Sequence, residues 1–343
     1  MDYRSAGVDI DAAHRAKNKI RELVRGTFRP ETLGDIGSFG GLFRLDKDRY
    51  RDPVLVASAD GVGTKLKVAF AANRHDTVGY DLVSHCINDI LVQGARPLFF
   101  LDYLALGKLV PEVVEAVVSG LARACCEFGL TLLGGETAEM PGFYPADEYD
   151  LAGTIVGVVE RDRLIDGSEL EPGDQLLGLS STGLHTNGYS LARKIFFEQE
   201  NLTAESRVEE IGAKVGDALL ETHRCYLPLI DPLLEKGLVK ALAHITGGGL
   251  TDNIPRVLPK GTAARIDLDQ WSIPPLFRYL QQKGDIAEAE MLRTFNVGIG
   301  MIVMVSPGDL ETTKSLLADA GEKPVAIGEI VEGECEVVYG GTL

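Results

Sequence analysis

The run Asp60-Gly61-Val62-Gly63-Thr64-Lys65 sets an acid, two glycines and a lysine at close spacing. The acid could take a divalent cation, the glycines let backbone approach a ligand, and the lysine adds a compact positive charge for phosphate. Neither GxxxxGK[ST] nor GxGxxG is matched, so neither common phosphate-loop geometry is implied. A plain turn after a strand would use the same glycines, and spacing alone leaves both readings open. Further on, residues 81–93 read as a helix at about 100° per residue. Leu82, Val83, Cys86, Ile87, Ile90 and Leu91 fall on one side, and Asp81, Ser84, His85, Asn88 and Asp89 on the other. A solvated face usually carries Lys, Arg and Glu. This one has short acids, an amide and an imidazole, groups that suit hard cations and phosphates. His85 by itself reads as structural.

Gly134-Gly135-Glu136-Thr137 repeats the pattern of a strand that ends in an acid behind permissive glycines. Asp60, Asp89 and Glu136 together would suit Mg2+, which takes one or two carboxylates and leaves room for substrate oxygens. A strand-end turn is the competing reading. In the second half, His185-Thr186-Asn187-Gly188-Tyr189-Ser190 precedes a helix. Free N–H groups there would favour an anion, and Thr186 or Asn187 would equally serve as a helix cap. His185 could donate to a phosphate or act as acid or base. Gly247-Gly248-Gly249 leads into Leu250-Thr251-Asp252-Asn253. Three adjacent glycines are costly unless backbone must wrap something, which favours an anion cradle.

These residues need elements to hold them. Period and punctuation predict a helix over 12–25, a glycine-rich segment at 34–41, strands at 54–58, 99–106, 131–133 and 151–159, and a helix at 111–128. Gly94 suits the C-cap of the 81–93 helix. The charged stretch 160–174, with Gly167, Pro172 and Gly173, marks a domain boundary. Beyond it, strands are expected at 175–179, 297–305 and 325–331, with helices following residue 187, at 215–236, after 249 and at 307–320. Strands and helices mix in both halves. The expectation is an α+β chain of two α/β-type domains, 1–167 with a mixed sheet and 168–343 with a sheet packed by helices.

With 343 residues the chain is long for one core, which agrees with two domains. A net charge of −17 argues against nucleic acid or an anionic membrane as partner, since both need a basic footprint. It leaves room for a polyanionic small molecule bridged by metal. Five cysteines without CxxC spacing read as reduced thiols. The polar start carries no signal-peptide pattern, and no apolar run nears the ~18 residues of a membrane span. The expected compartment is the cytoplasm.

Taken in order, DGVGTK, the NDI at 88–90, VQGARPLFFLDY, GGETAEMPG, HTNGYS and TGGGLTDNIPRVLP resemble phosphoribosylformylglycinamidine cyclo-ligases, the aminoimidazole ribonucleotide synthetases of purine biosynthesis. The resemblance runs from AGVDI at Ala6 to FNVGIGM at Phe295. Residues 31–45 hold neither Cys nor Lys, which separates the chain from selenophosphate synthetases. A catalytically silent nucleotide-binding subunit would have lost Asp60, Lys65 or Glu136, and all three are present. The resemblance implies a homodimer whose N-terminal sheets pair into a barrel-like whole. It also implies ATP-dependent phosphoryl transfer to the formyl oxygen of a phosphorylated ribosyl amidine, followed by ring closure. ATP would then lie on Gly37, Ser38, Gly40, Asp60, Gly61, Gly63, Thr64, Lys65, Glu136 and Thr137, with Mg2+ on Asp60, Asn88, Asp89 and Glu136. Substrate would meet Thr186, Asn187, Gly247, Gly248, Gly249 and Asn253. Lys65 would assist transfer, and Asp89 or His185 would handle the proton.

Overall fold

The computed structural model describes residues 10–343, so residues 6–9 of the AGVDI segment lie outside the described part. The chain divides into two units, one running to Ile90 and resuming at Ala95–Asp162, the other formed by Leu91–Gly94 and Arg163–Leu343. The division after Asp162 falls inside the charged stretch 160–174, a few residues ahead of the expected 167.

The first unit contains α1 (Ile10–Gly26), a short hairpin β1 (Thr32–Leu33) and β2 (Leu42–Phe43), β3 (Pro53–Gly61), α2 (Leu66–Ala72), α3 (Val78–Leu91), β4 (Arg96–Leu106), α4 (Pro111–Phe128), β5 (Thr131–Glu139) and β6 (Tyr149–Glu160). Its four-stranded sheet has the order β3-β6-β4-β5. The β3–β6 and β4–β6 pairs are antiparallel, while β4 and β5 are parallel and joined through α4. A helix is the usual way to join parallel neighbours. Pro111 opens α4 and Gly129, in the left-handed region, ends it. Strand alternation is clear in β3: Val54, Val56, Ser58 and Asp60 are the more covered positions, and Leu55, Ala57 and Ala59 are exposed. Helices α3 and α4 cross where two glycines meet. A Cβ on Gly79 would lie 2.3 Å from the Val117 carbonyl oxygen, and one on Gly120 2.6 Å from that of Asp76.

Two strands run further than expected. β3 continues through Gly61, so Asp60 is a strand residue, and β5 absorbs the whole GGET run instead of stopping before it. The reason is the length of β4, whose Leu101–Leu106 segment keeps pairing with Gly134–Glu139. The glycine-rich segment 34–41 is the exposed connection of the β1–β2 hairpin.

The second unit contains β7 (Gln175–Ser180), α5 (Tyr189–Arg193) with a π-helical continuation over Lys194–Gln199, β8 (Arg207–Val208), β9 (Ala213–Lys214), α6 (Val215–Leu219), α7 (Leu227–Glu235), β10 (Ala241–His244), α8 (Gly249–Asn253), β11 (Thr262–Asp267), α9 (Pro275–Gly284), α10 (Glu288–Thr294), β12 (Ile299–Val305), α11 (Leu310–Asp319), β13 (Val325–Glu332) and β14 (Val337–Gly340). The six-stranded sheet runs β10-β12-β7-β13-β11-β14, with β11 and β14 its parallel pair. Leu177, Leu179, Leu242, Met301 and Val303 from the sheet pack against Tyr226, Ile230 and Leu233 in one apolar cluster. The expected helix over 215–236 is two helices. Residues 220–226 leave helical geometry and carry His223 into full burial, and Pro228 sits in the first turn of α7. Among the described residues no helix is long and apolar enough to cross a membrane.

Candidate active site

In the first unit, β3 and α3 bring separate stretches of sequence to one point. Ser58 and Asp60 share a face of β3, and α3 lies against that face. His85 Nε2 is 2.7 Å from Asp60 Oδ2 and 3.6 Å from Asp89 Oδ2. Ser58 donates to Asp89 Oδ2 at 3.0 Å, and the Gly61 N–H donates to Asp60 Oδ1 at 2.6 Å. His85 is buried, while Asp60 and Asp89 keep 39% and 27% of their side chains exposed. The two carboxylates therefore form the mouth of the cluster and the imidazole its floor. Burial by itself would disfavour a charged His85, but the Asp60 hydrogen bond and the nearby carboxylates outweigh it and raise its pKa. Burial likewise opposes a charged Asp60, yet the His85 hydrogen bond and the Gly61 N–H leave its pKa lowered.

This donor set fits Mg2+. Two hard oxygen ligands stand together and half exposed, and their charge is compensated here by an imidazole that the same fields favour as a cation. Asn88, expected beside them as a metal ligand, is fully buried and not presented at the mouth. Glu136 departs further from the expectation. Across the sheet one row joins Asp60, Gly153, Asp102 and Gly135, and the next joins Gly61, Ala152, Tyr103 and Glu136. Glu136 is thus three strands from Asp60, about 14 Å at ~4.8 Å per strand, and on the opposite face. One copy of the chain does not gather Asp60, Asp89 and Glu136 around a single ion.

Lys65 also departs from the expectation of a phosphate-facing charge. Its Nζ lies 2.8 Å from Asp81 Oδ2, and both side chains are fully buried. The short helical turn Gly63–Lys65 that follows β3 turns the lysine inward beneath α3, leaving Gly63 and Thr64 at the surface. Gly61 is half-buried at the end of β3. Gly37, Ser38 and Gly40 are exposed on the hairpin loop, and Thr137 is half-buried on β5. Sequence reasoning passed over Asp102, an acid within the apolar strand β4, flanked in its row by Gly153 and Gly135. Burial pushes its carboxyl up to about 7, with the Glu136 charge acting the same way. A lone acid among Phe99, Phe100, Leu101 and Leu104 was the available signal.

In the second unit, the loop 181–188 after β7 and the 246–249 turn before α8 come together. A Cβ on Gly247 would lie 3.2 Å from Asn187 Oδ1, so side chain and backbone already touch. The Asn187 Nδ2 is buried without a hydrogen-bond partner in the protein, a donor suited to an anionic acceptor. Asn253 points inward instead: its Nδ2 donates to the carbonyls of Gly247 and Gly249 at 3.2 and 2.9 Å and shapes the turn from behind. Gly248 and Gly249 have positive φ, and a Cβ on Gly249 would sit 2.0 Å from the Leu292 carbonyl oxygen. The triple glycine is thus needed in part for packing, beside any ligand. His185 corrects the expectation of a proton handler. It is buried, its backbone has φ 60°, its Nε2 accepts from the Thr182 N–H at 3.2 Å, and its ring stacks on His223 at 4.1 Å. Thr186 is half-buried and approaches His223 Nδ1 at 3.3 Å.

Residues 43–159 match the AIR synthase related protein, N-terminal domain, and residues 171–340 the C-terminal domain of the same description. The phosphoribosylformylglycinamidine cyclo-ligase of Desulfitobacterium hafniense is 54% identical, with 98% of each chain covered. That of Geobacillus kaustophilus is 52% identical over 96% of each, and that of Brevibacillus brevis 49% identical over 99% of this chain and 98% of the relative. Solved structures share the fold at lower identity. Thiamine-monophosphate kinase from Stenotrophomonas maltophilia superposes with a TM-score of 0.71 at 20% identity, covering 94% of this chain and 96% of that one. The hydrogenase maturation protein HypE in complex with ATP gives 0.68 at 19%, covering 98% and 93%. With both domains matched and half of all residues shared along nearly the full length, the chain belongs to the phosphoribosylformylglycinamidine cyclo-ligase family, within the AIR synthase related proteins.

Proposed function

We propose that Asp60 and Asp89 hold the magnesium of ATP, and that the loops 181–188 and 246–249 hold the phosphate of the substrate. The reaction is the ATP-dependent cyclisation of formylglycinamidine ribonucleotide to aminoimidazole ribonucleotide in purine biosynthesis, with release of ADP and phosphate. The γ-phosphoryl group passes to the formyl oxygen, an amidine nitrogen bonds to the formyl carbon, and the oxygen departs with the phosphate. Bound Mg2+ supplies charge neutralisation for the transferring phosphoryl group. The residues of the chain position and screen. Ser58 orients the Asp89 carboxylate, the Gly61 N–H orients that of Asp60, and His85 keeps the two acids charged side by side. Ring closure within one bound molecule gains an effective molarity of ~10⁵ M or more from orientation alone. His185, buried and stacked on His223, is set aside as a proton handler, and Asp89 serves the metal.

The observation that carries this reading is the convergence of Asp60 and Asp89 on one buried imidazole. The partnerless Asn187 donor beside Gly247 supports the phosphate site. A homodimer is supported by the uncovered sheet face of the first unit, where Leu55 is 61% and Tyr103 41% exposed. Ala57, Ala59, Leu101 and Glu136 share that face, so pairing there would set Glu136 at the subunit contact. Five free thiols, Cys126 among them exposed, suit the reducing cytoplasm.

The test is ADP release by the purified protein with Mg-ATP. Formylglycinamidine ribonucleotide should stimulate it, and Asp60→Asn should lower kcat about 10²-fold. ATP binding with no substrate-stimulated hydrolysis would overturn the activity. Near-normal turnover of Asp60→Asn at saturating Mg2+ would overturn the metal site.

A further inference from the structure

Between α10 and β12 the chain runs through Phe295, Asn296, Val297 and Gly298, the start of the FNVGIGM segment and all of them buried. The Asn296 side chain reaches the loop that follows β7. Its Nδ2 donates to the Gly183 carbonyl at 2.9 Å, and its Oδ1 accepts from Ser181 Oγ and from the Gly298 N–H, each at 2.9 Å. A backbone N–H can only donate and a carbonyl only accept, so these partners fix the amide in one orientation. A bond from the Ser181 N–H to the Gly298 carbonyl at 2.9 Å completes the seam.

Phe295 reaches two further points. Its ring lies against Gly188, at the far end of the same loop, where a Cβ would stand 2.3 Å from the ring Cε1. Its carbonyl oxygen would be 2.8 Å from a Cβ on Gly249, the last residue of the 246–249 turn. One buried segment therefore touches both ends of 181–188 and the end of 246–249, the loops on which Asn187 and Gly247 meet. Val297 shows that the course of this segment is imposed by its surroundings. It is buried, and its φ of 43° sets a β-branched residue in the left-handed region, a conformation that persists only where neighbours enforce it. The Trp271 Nε1–H donates to its carbonyl at 3.0 Å, and the Asn296 amide holds Gly298 just beyond it.

We infer that Asn296 is a positioning residue for the substrate's phosphate, setting where loop 181–188 stands and so the separation of Asn187 from the Gly247 turn. The inference rests on the phosphate site proposed above. An amide is required because one side chain must donate and accept at once. Aspartate would keep both bonds to Oδ1 but turn a second oxygen on the Gly183 carbonyl, and the loop would shift away from it.

Steady-state kinetics on the full chain tests this. Asn296→Asp should raise KM for formylglycinamidine ribonucleotide about tenfold, the scale of one hydrogen bond to a charged group, while KM for ATP stays as it was. In an Asn187→Ala background the same change should add little, because both act on one contact. A folded Asn296→Asp with lowered stability and unchanged substrate KM would make the residue a packing element and overturn the inference. Effects that multiply in the double variant would overturn it too, while a raised KM in Asn187→Ala alone keeps the phosphate site standing. Unchanged KM in Asn187→Ala would remove the phosphate site and the inference with it. Should Asn296→Asp fail to fold, Ser181→Ala, which removes only the hydroxyl on Oδ1, decides: a substrate KM raised about threefold supports the positioning role, and an unchanged one overturns it.

Discussion

Lys65 and Asp81 sit side by side, both side chains fully buried, and a buried ion pair behaves unlike a surface one. Removing one partner strands a charge and costs about 3–5 kcal/mol, whereas replacing both by apolar groups is often neutral. Lys65→Met should therefore lower unfolding stability by about 3 kcal/mol or more in urea titrations, and adding Asp81→Leu should restore much of it. A Lys65→Met protein as stable as its parent, defective only in ATP binding, would return the lysine to the phosphate. The neighbouring His85–Asp60 pair makes stability depend on pH. Asp60 is lowered from 3.8, so its contribution is present above that value and is lost as pH falls through the folded pKa. His85 is raised from 6.5, so its contribution is whole below 6.5 and is lost as pH rises through the folded pKa. Urea midpoints in EDTA should separate His85→Gln from its parent most between pH 4 and 6.5, with the gap closing at higher pH.

At the scale of elements, α3 matters because its polar side is covered almost as fully as its apolar one, Asp89 keeping 27% of its side chain exposed. Leu82, Val83, Cys86 and Ile87 are inaccessible, and so are Asp81, Ser84 and Asn88. The polar side that periodicity identified is not a wet face but the side turned toward Asp60 and Lys65. Its depth is set by the Gly79–Gly120 crossing with α4. Gly79→Ala would force a methyl group to 2.3 Å from the Val117 carbonyl and 2.6 Å from the Leu121 amide nitrogen, so the helices must separate. Overpacking of this kind costs about 1–3 kcal/mol. Because α3 carries His85 and Asp89, Gly79→Ala should also raise KM for ATP, measured beside the loss in thermal stability. Unchanged KM with lowered stability would mean that α3 holds its register independently of α4.

For the whole molecule, the first unit's sheet leaves one face uncovered, with Leu55 and Tyr103 exposed on it. A charge placed on it should oppose burial against a second copy, since a buried unpaired charge is expensive. If the proposed homodimer forms through this face, Leu55→Asp should shift sedimentation from dimer to monomer. A parent protein that sediments as a monomer would remove the homodimer.

The sequence by itself determined the period and punctuation of the main elements, both domains, and the clustering of short acids on one side of α3. These follow from local rules, in which residues three and four apart share a helix side and alternate residues share a strand face. It also carried the family, through ordered segments whose joint occurrence has no other common source. The tertiary structure alone decided which polar groups meet. Asp60 faces Asp89 because α3 lies on one particular face of β3. Glu136 turns away because strand order and register put it three strands off, and a shift of one residue flips a side chain to the other face. Lys65 is consumed by Asp81, and His185 by His223, through burial that no local pattern encodes. Long-range register and burial depend on how elements stack, and a lysine or histidine reads the same in sequence whether it faces a ligand or a buried partner.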